Sequence, residues 1–245
     1  SAIAELRRMG VDTSDITIGG DRLGVYYMEK GAGARGSVCI YDRAYSAISE
    51  ATSSDFDWNE ILDGVDWFHF TGITPALSDS TARLCEDACI EAKKRNIKVS
   101  CDLNYRGKLW TRDKANKVMT HLCKYVDVCI ANEEDAKDVF GIEALDTDIT
   151  GGKLNHEGYK SVARELVDRF GFKYVAITLR TSISASENDW AAMLYDGKNY
   201  IFSKTYNIPI VDRVGGGDSF GAGLIYAMLN DYSAEDSIEY AVAAS

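Results

Sequence analysis

From residue 65 onward, short apolar runs take turns with stretches of helical periodicity, and this alternation constrains the fold more than any other feature. VDWFHFTG (65–72) precedes a helical pattern near 77–95, with Leu77, Leu84, Cys85, Ala88 and Ala92 on one face. IKVSCDLN (97–104), a helix near 111–123, VDVCIANEED (126–135) and a helix from 132 continue the series. A helix over 159–170 carries Val162, Ala163, Leu166, Val167 and Phe170 on one side and stops at Gly171, and YVAITLR (174–180) follows. Strands that are apolar nearly throughout are buried on both faces, and strand–helix alternation builds parallel sheets. The expected class is α/β, with a mostly parallel central sheet covered on both sides.

Residues 21–46 break the pattern. DRLGVYYMEKG and SVCIYDRA are two extended runs joined by the glycine-rich KGAGARG, which predicts a β-hairpin outside the main sheet, a flap or interface element. GIEALDTDITGGKLNHEG (141–158) reads as an irregular surface loop. With two prolines, no repeat and no low-complexity linker, residues 1–245 are expected to form one domain that carries the flap. The chain opens on SAIAELRRMG, inside an amphipathic helix that closes on Gly10, and ends on EYAVAAS, inside another helix. It is therefore expected to be part of a longer chain, truncated at both ends, and by itself poorly stable.

A net charge of −11 opposes general binding to nucleic acid or to an anionic membrane surface, although converging arginines could still hold a small anion. No apolar run approaches the ~18 residues of a membrane span. Cysteines 39, 85, 89, 101, 123 and 129 form no C-x-x-C pair, and Cys101 and Cys129 lie in runs that read as buried strands. Reduced thiols and a cytoplasmic location are expected. Cys85 and Cys89 are four apart on a predicted helix, but no histidines cluster near them, and core packing is the preferred reading.

In an open parallel sheet, ligands bind beyond the carboxyl ends of the strands. Those ends present Thr71 and Gly72, then Asp102, Asn104 and Arg106, then Asn132 and Asp135, then Thr178 and Arg180, and finally Asp212, Arg213 and Asp218. Each group also has a plainer explanation. Asn132 followed by Glu133, Glu134 and Asp135 is what a helix start favours. Arg106 and Arg180 could be surface ion pairs, His69 a core histidine, and Tyr26 and Tyr27 packing of the flap. His121 and His156 sit in no catalytic spacing. What favours a site is that five successive strand ends point polar groups to one edge.

RVGGGDSFGAG (213–223) lies where a strand pattern turns into a helix. It contains neither G-K-[ST] nor G-x-G-x-x-G, so it is neither a Walker A loop nor a dinucleotide fingerprint. Gly215, Gly216 and Gly217 would form a helix start whose bare N–H groups can approach an oxyanion, while Gly221 and Gly223 would let the helix pack tightly on the sheet. Alternatively, Asp218 caps the helix and the glycines only turn the chain. Chemistry favours the first reading. A carboxylate beside an anion-binding helix end can take a proton from an alcohol while the amides stabilise a transferring phosphoryl group.

NIPIVDRVGGGDSFGAG resembles the C-terminal motif of the ribokinase-like (PfkB) sugar kinases. DRLGVYYMEKGAGARGSVCIYDRAYSAI, CDLNYRGKLW, ANEEDA and AITLRTSISASENDWAAMLYDG are similar to the branch of that family acting on 2-keto-3-deoxygluconate, in order along the chain. The resemblance implies a three-layer α/β/α fold with a β lid, and ATP- and Mg²⁺-dependent phosphorylation of the sugar acid's terminal hydroxyl. By position, Asp218 would be the base and the backbone of Gly215, Gly216 and Gly217 the anion hole. Arg106, with Asn104 and Tyr105, would contact the sugar acid or the phosphates. Tyr26, Tyr27 and Met28 would line the sugar from the flap. Some relatives have arginine where Met28 stands, which shifts carboxylate binding onto Arg106. Asn132, Thr178, Arg180 and the glycines would face the nucleotide. The family's N-x-x-E element appears as Asn132…Asp135, whose acid would organise Mg²⁺ through water.

A kinase of the same fold for fructose, a nucleoside or 5-dehydro-2-deoxygluconate is the nearest alternative, and a non-catalytic sugar or nucleotide sensor is the alternative from another class. A pure sensor has no use for Asp218. The absent fingerprint loop argues against a dinucleotide oxidoreductase. An exposed two-stranded flap also predicts self-association through that element.

Overall fold

A computed structural model of the protein describes residues 1–31, 35–36, 38–132, 134–143, 156–184, 187–211 and 214–245. Helix α1 (Ala2–Arg8) is followed by the hairpin β1 (Val25–Glu29) and β2 (Val38–Asp42), then by the short helices α2 (Ala47–Glu50) and α3 (Trp58–Ile61). Next come β3 (Trp67–Thr71), α4 (Ile73–Leu77), α5 (Asp79–Lys94), β4 (Lys98–Asp102), α6 (Arg112–Leu122), β5 (Val128–Asn132), α7 (Asp135–Phe140) and α8 (His156–Phe170). The chain closes with β6 (Tyr174–Ser184), β7 (Glu187–Tyr195), β8 (Tyr200–Phe202), β9 (Tyr206–Pro209), α9 (Gly216–Leu229) and α10 (Ala234–Ala244). Of the loop expected over 141–158, residues 144–155 lie outside the described residues, as do residues 32–34 of the flap's turn.

The four strands expected between residues 65 and 180 form, run parallel and lie side by side in chain order, with Cys101 opposite Cys129 and Cys129 opposite Val175. A strand pair then departs from the parallel pattern. β7 returns antiparallel to β6 as the second arm of a long hairpin. β8 and β9 share its far edge, and Pro209, which has no N–H to donate, sits on the outermost strand. ENDWAAMLY carried little strand signal by alternation because it is apolar on both faces in its second half.

Those two faces define two cores. On one side Val99, Cys101, Cys129, Ala131, Val175, Ile177 and Met193 meet Cys89, Met119, Val139 and Leu166 from α5, α6, α7 and α8. On the other, Val128, Ile130, Ala176, Ala192 and Leu194 meet Phe220 and Leu224 of α9 and Ile238 and Ala241 of α10. The alternation of residues between the clusters is the strand period of two. Five of the six cysteines are buried and all six are free thiols. Burial pushes the Cys85 thiol up to about 12, so it behaves as a small apolar side chain. No described helix is long and apolar enough to cross a membrane.

Two sequence expectations need correcting. His69 is exposed, not a core residue, because α9 packs over β5–β7 and leaves β3 open; its Nδ1 lies 2.7 Å from Ser100 Oγ. Gly223 faces α10 rather than the sheet, since a Cβ there would lie 2.8 Å from Ala244 Cβ, whereas Gly221 does face the sheet at Ile130. Two helix positions apart point in nearly opposite directions.

Candidate active site

The carboxyl ends of β3–β6, the first turn of α9 and the inner face of the flap enclose a cleft of about 410 Å³. In the flap, β1 and β2 pair with Tyr26 opposite Tyr41 and Met28 opposite Cys39. These four side chains face the cleft, joined by Arg43, whose guanidinium lies 4.3 Å from the Tyr41 ring centroid. Tyr27 was expected here and is not. It pairs with Ile40 on the outer face and is 64% exposed, because side chains alternate along a strand. The same register would have found Cys39, Tyr41 and Arg43 from sequence, had the second strand been read against the first.

Beyond β4 the chain carries Asn104, Tyr105 and Arg106. Asn104 adopts a left-handed φ of 41°, and its Nδ2 donates to Thr71 Oγ1 at 3.0 Å. Gly72 N–H donates to the Asp102 carbonyl at 2.8 Å, an approach so close that a Cβ on Gly72 would stand 2.1 Å from the Leu103 oxygen. Asn104 and Arg106 line the cleft. Tyr105 does not: its hydroxyl donates to the Trp110 carbonyl at 3.3 Å and its ring packs on the core, so it serves the loop through its backbone.

Asn132 plays the plainer role considered for it as well as lining the cleft. Its Oδ1 accepts from the N–H groups of Glu134 at 2.8 Å and Asp135 at 2.9 Å, an Asx-type start to α7. Asp135 is only 3% exposed, and its two oxygens accept from Tyr105 N–H at 2.9 Å and Asn132 N–H at 3.0 Å. Thr178, Arg180 and Trp190 line the cleft from the β6–β7 hairpin. Among the described residues, none of Arg43, Arg106 and Arg180 is paired with a carboxylate. Glu133, Asp212 and Arg213 lie outside the described residues.

At the start of α9, Gly215 takes a left-handed φ of 82°, which glycine adopts without strain. A Cβ on any of Gly215, Gly216 or Gly217 would have nothing within 4 Å, so open space lies where their side chains would stand, and all three line the cleft. No side chain caps this helix, and Asp218, exposed in its first turn, makes no hydrogen bond with a described residue. Among the described residues, none competes with a ligand for Asp218, and a helix start of this kind suits an anion.

Charge is concentrated under this end. Burial, then the charges of Asp135 and Asp218, push the Asp102 carboxyl up to about 7 against the opposing pull of Arg106. Asp135 is raised by burial, in part offset by its bonds from Asn132 and Tyr105. Asp102 was read from sequence as a strand end without a role. Its environment depends on Asp135 and Asp218 from two other segments, which no local pattern displays. No three described His, Cys, Asp or Glu side chains converge to cage a metal ion.

Residues 1–245 match the family described as pfkB family carbohydrate kinase. The chain belongs to this family. It is 28% identical over 239 residues to a 2-dehydro-3-deoxygalactonokinase of Haloferax volcanii, covering 98% of this chain and 68% of the relative. It is 28% identical over 244 residues to a 2-dehydro-3-deoxygluconokinase of Thermoproteus tenax, covering 98% of this chain and 66% of that one. Among solved structures, a 2-dehydro-3-deoxygluconokinase of Thermotoga maritima superposes with a TM-score of 0.93 at 48% identity, over 99% of this chain and 72% of its own. The chain thus spans about two thirds of the length of these curated relatives. The fold is the ribokinase-like one, three α/β/α layers with a small antiparallel lid, as the sequence resemblance implied.

Proposed function

We propose that this chain transfers the terminal phosphoryl group of ATP to the terminal hydroxyl of 2-keto-3-deoxy-D-gluconate, giving 2-keto-3-deoxy-6-phosphogluconate, and does so in the cytoplasm. The observation that carries the reading is the exposed Asp218 carboxylate, without a hydrogen bond to a described residue, beside three glycines that line the cleft, which also holds three arginines that pair with no carboxylate among the described residues. Asp218 accepts the hydroxyl proton as that oxygen attacks phosphorus in line and the bond to the ADP oxygen breaks. The amides of Gly215, Gly216 and Gly217 stabilise charge on the transferring group. Arg106 and Arg43 hold the sugar acid's carboxylate, Tyr26, Met28 and Tyr41 cover the sugar, and Thr178 and Arg180 face the nucleotide with Asn132. Mg²⁺ bound together with the nucleotide would supply neutralisation of phosphate charge.

The test is ATP-dependent phosphorylation of a panel comprising 2-keto-3-deoxygluconate, fructose, ribose, an aminoimidazole nucleoside and 5-dehydro-2-deoxygluconate, with the full-length protein and its Asp218→Asn variant. Turnover on the first substrate that falls about 10²- to 10⁴-fold in the variant is the expected result. Preference for another acceptor would overturn the substrate assignment. No turnover on any would overturn the kinase reading in favour of a sensor.

The outer face of the flap, with Val25, Tyr27, Val38 and Ile40 between 39% and 64% exposed, supports self-association through this element. A monomeric mass in solution at micromolar concentration would overturn that part.

A further inference from the structure

We propose that Asp135 is a positioning residue that ties the loops after β4 and β5 together and so aims Arg106 into the cleft. Its sequence position implied a different task, organising a metal ion through water. This inference rests on the reading of Arg106 as a ligand for the sugar acid.

Both Asp135 oxygens already have backbone donors, at 2.9 Å from Tyr105 N–H and 3.0 Å from Asn132 N–H, and the residue is 3% exposed. Hydrogen bonds from amides to a carboxylate are among the stronger kinds in a protein. Tyr105 immediately precedes Arg106, and its carbonyl accepts from the Arg106 guanidinium at 2.9 Å. The peptide pinned by Asp135 through its N–H is thus in the residue that steadies Arg106 through its C=O. On the other side, Asn104 is held to β3 by its 3.0 Å bond to Thr71. Residues 104–106 are therefore fixed from both neighbouring strand ends, from the β3 side by Asn104 and from the β5 side by Asp135. Both Glu134 and Asp135 border the cleft, but of the two only Glu134 is exposed, while the Asp135 oxygens are turned to backbone amides.

The isosteric change Asp135→Asn is a sharp probe. An amide has a single oxygen, so its NH₂ group must meet one of the two N–H donors, donor against donor, with almost no change in volume. Binding of 2-keto-3-deoxygluconate would be followed by calorimetry in EDTA, without nucleotide, for wild type, Asp135→Asn, Arg106→Ala and the double variant. We expect Asp135→Asn to weaken binding about tenfold, equivalent to ~1.4 kcal/mol. It should add almost nothing in the Arg106→Ala background, as coupled residues do. Unchanged affinity, or full additivity in the double variant, would overturn the proposal. In the kinase assay, the sugar-acid KM should rise while the half-saturating Mg²⁺ concentration stays constant; the opposite pattern would restore the metal role.

A second measurement does not depend on the substrate assignment or on the variant folding. Amide exchange read by NMR on the wild-type protein, free of metal and nucleotide, should show Tyr105 and Asn132 protected. Exchange at the rate of open loop amides would overturn the proposal. Failure of the wild type to bind the sugar acid would instead count against the functional reading, while protected amides would still uphold the tie.

Discussion

A single methyl group at Gly72 should cripple the site although this residue faces no ligand. The Cβ of Gly72→Ala would stand 2.1 Å from the Leu103 oxygen, where ordinary contact begins at 3.4 Å, so the two must separate by at least 1.3 Å (3.4 − 2.1). Leu103 has little freedom to yield: it is fully buried, and its N–H donates to the Ile130 carbonyl at 2.9 Å. The displacement therefore passes into the 2.8 Å bond from Gly72 to Asp102 and into the segment that carries Asn104 and Arg106. Overpacking of this kind costs about 1–3 kcal/mol. For a chain of this length that lowers Tm by roughly 2–12 °C. A shift of about 1 Å at a ligand-positioning group can cost ~10²-fold in turnover. The assays are thermal melting and kcat/KM for 2-keto-3-deoxygluconate, with Gly64→Ala as control. Unlike Gly72, whose φ is −60°, Gly64 has a left-handed φ of 67°, but nothing lies within 4 Å of its Cβ and it precedes β3 at the far end of the sheet. The control should lose stability through backbone strain while its folded fraction keeps full activity. If Gly72→Ala melts within about 1 °C of wild type and keeps kcat/KM within about twofold, the close approach of β3 and β4 does not hold the site, and the argument fails.

Gly217→Ala should behave in the reverse way. Its Cβ meets nothing within 4 Å and alanine favours helix by up to ~1 kcal/mol, so Tm should hold or rise while turnover drops because the methyl intrudes where the oxyanion approaches; unchanged kcat would remove the glycines from the anion hole. Asp102→Asn tests the charge beneath the cleft. With its folded pKa raised to about 7 from 3.8, the native state keeps a proton that the unfolded chain releases, so this group's contribution to stability falls as pH rises through that window. The Tm of the variant relative to wild type should therefore climb between about pH 4 and 7 and level off above, and a flat difference would show that Asp102 is not perturbed.

How much of this could be read beforehand depends on how local the signal is. The strands from Trp67 to Arg180 and the helices between them were legible because burial imposes a period of 2 or 3.6 on consecutive residues. Asp218 and its glycines were legible because they occupy adjacent positions. Tyr27 and Tyr105 were misplaced for the opposite reason. The inner and outer faces of the flap follow from the pairing of β1 with β2, and the direction of Tyr105 follows from a bond to Trp110. Trp190 joined the cleft only through the antiparallel return of β7 against β6, and Asp102, legible as a strand end, owes its raised pKa to burial and to the distant Asp135 and Asp218.

The amino-acid sequence by itself determined the α/β class, the parallel character of β3 to β6, the family and the residue expected to act as base. Tertiary structure decided which side chains share the cleft, how far Asp102 is driven from its ordinary carboxylate range, and that both oxygens of Asp135 are committed to backbone amides. The division is physical. Burial periodicity and helix-start chemistry act between near neighbours in the chain, whereas desolvation, charge and register act between segments that meet only when the sheet has formed.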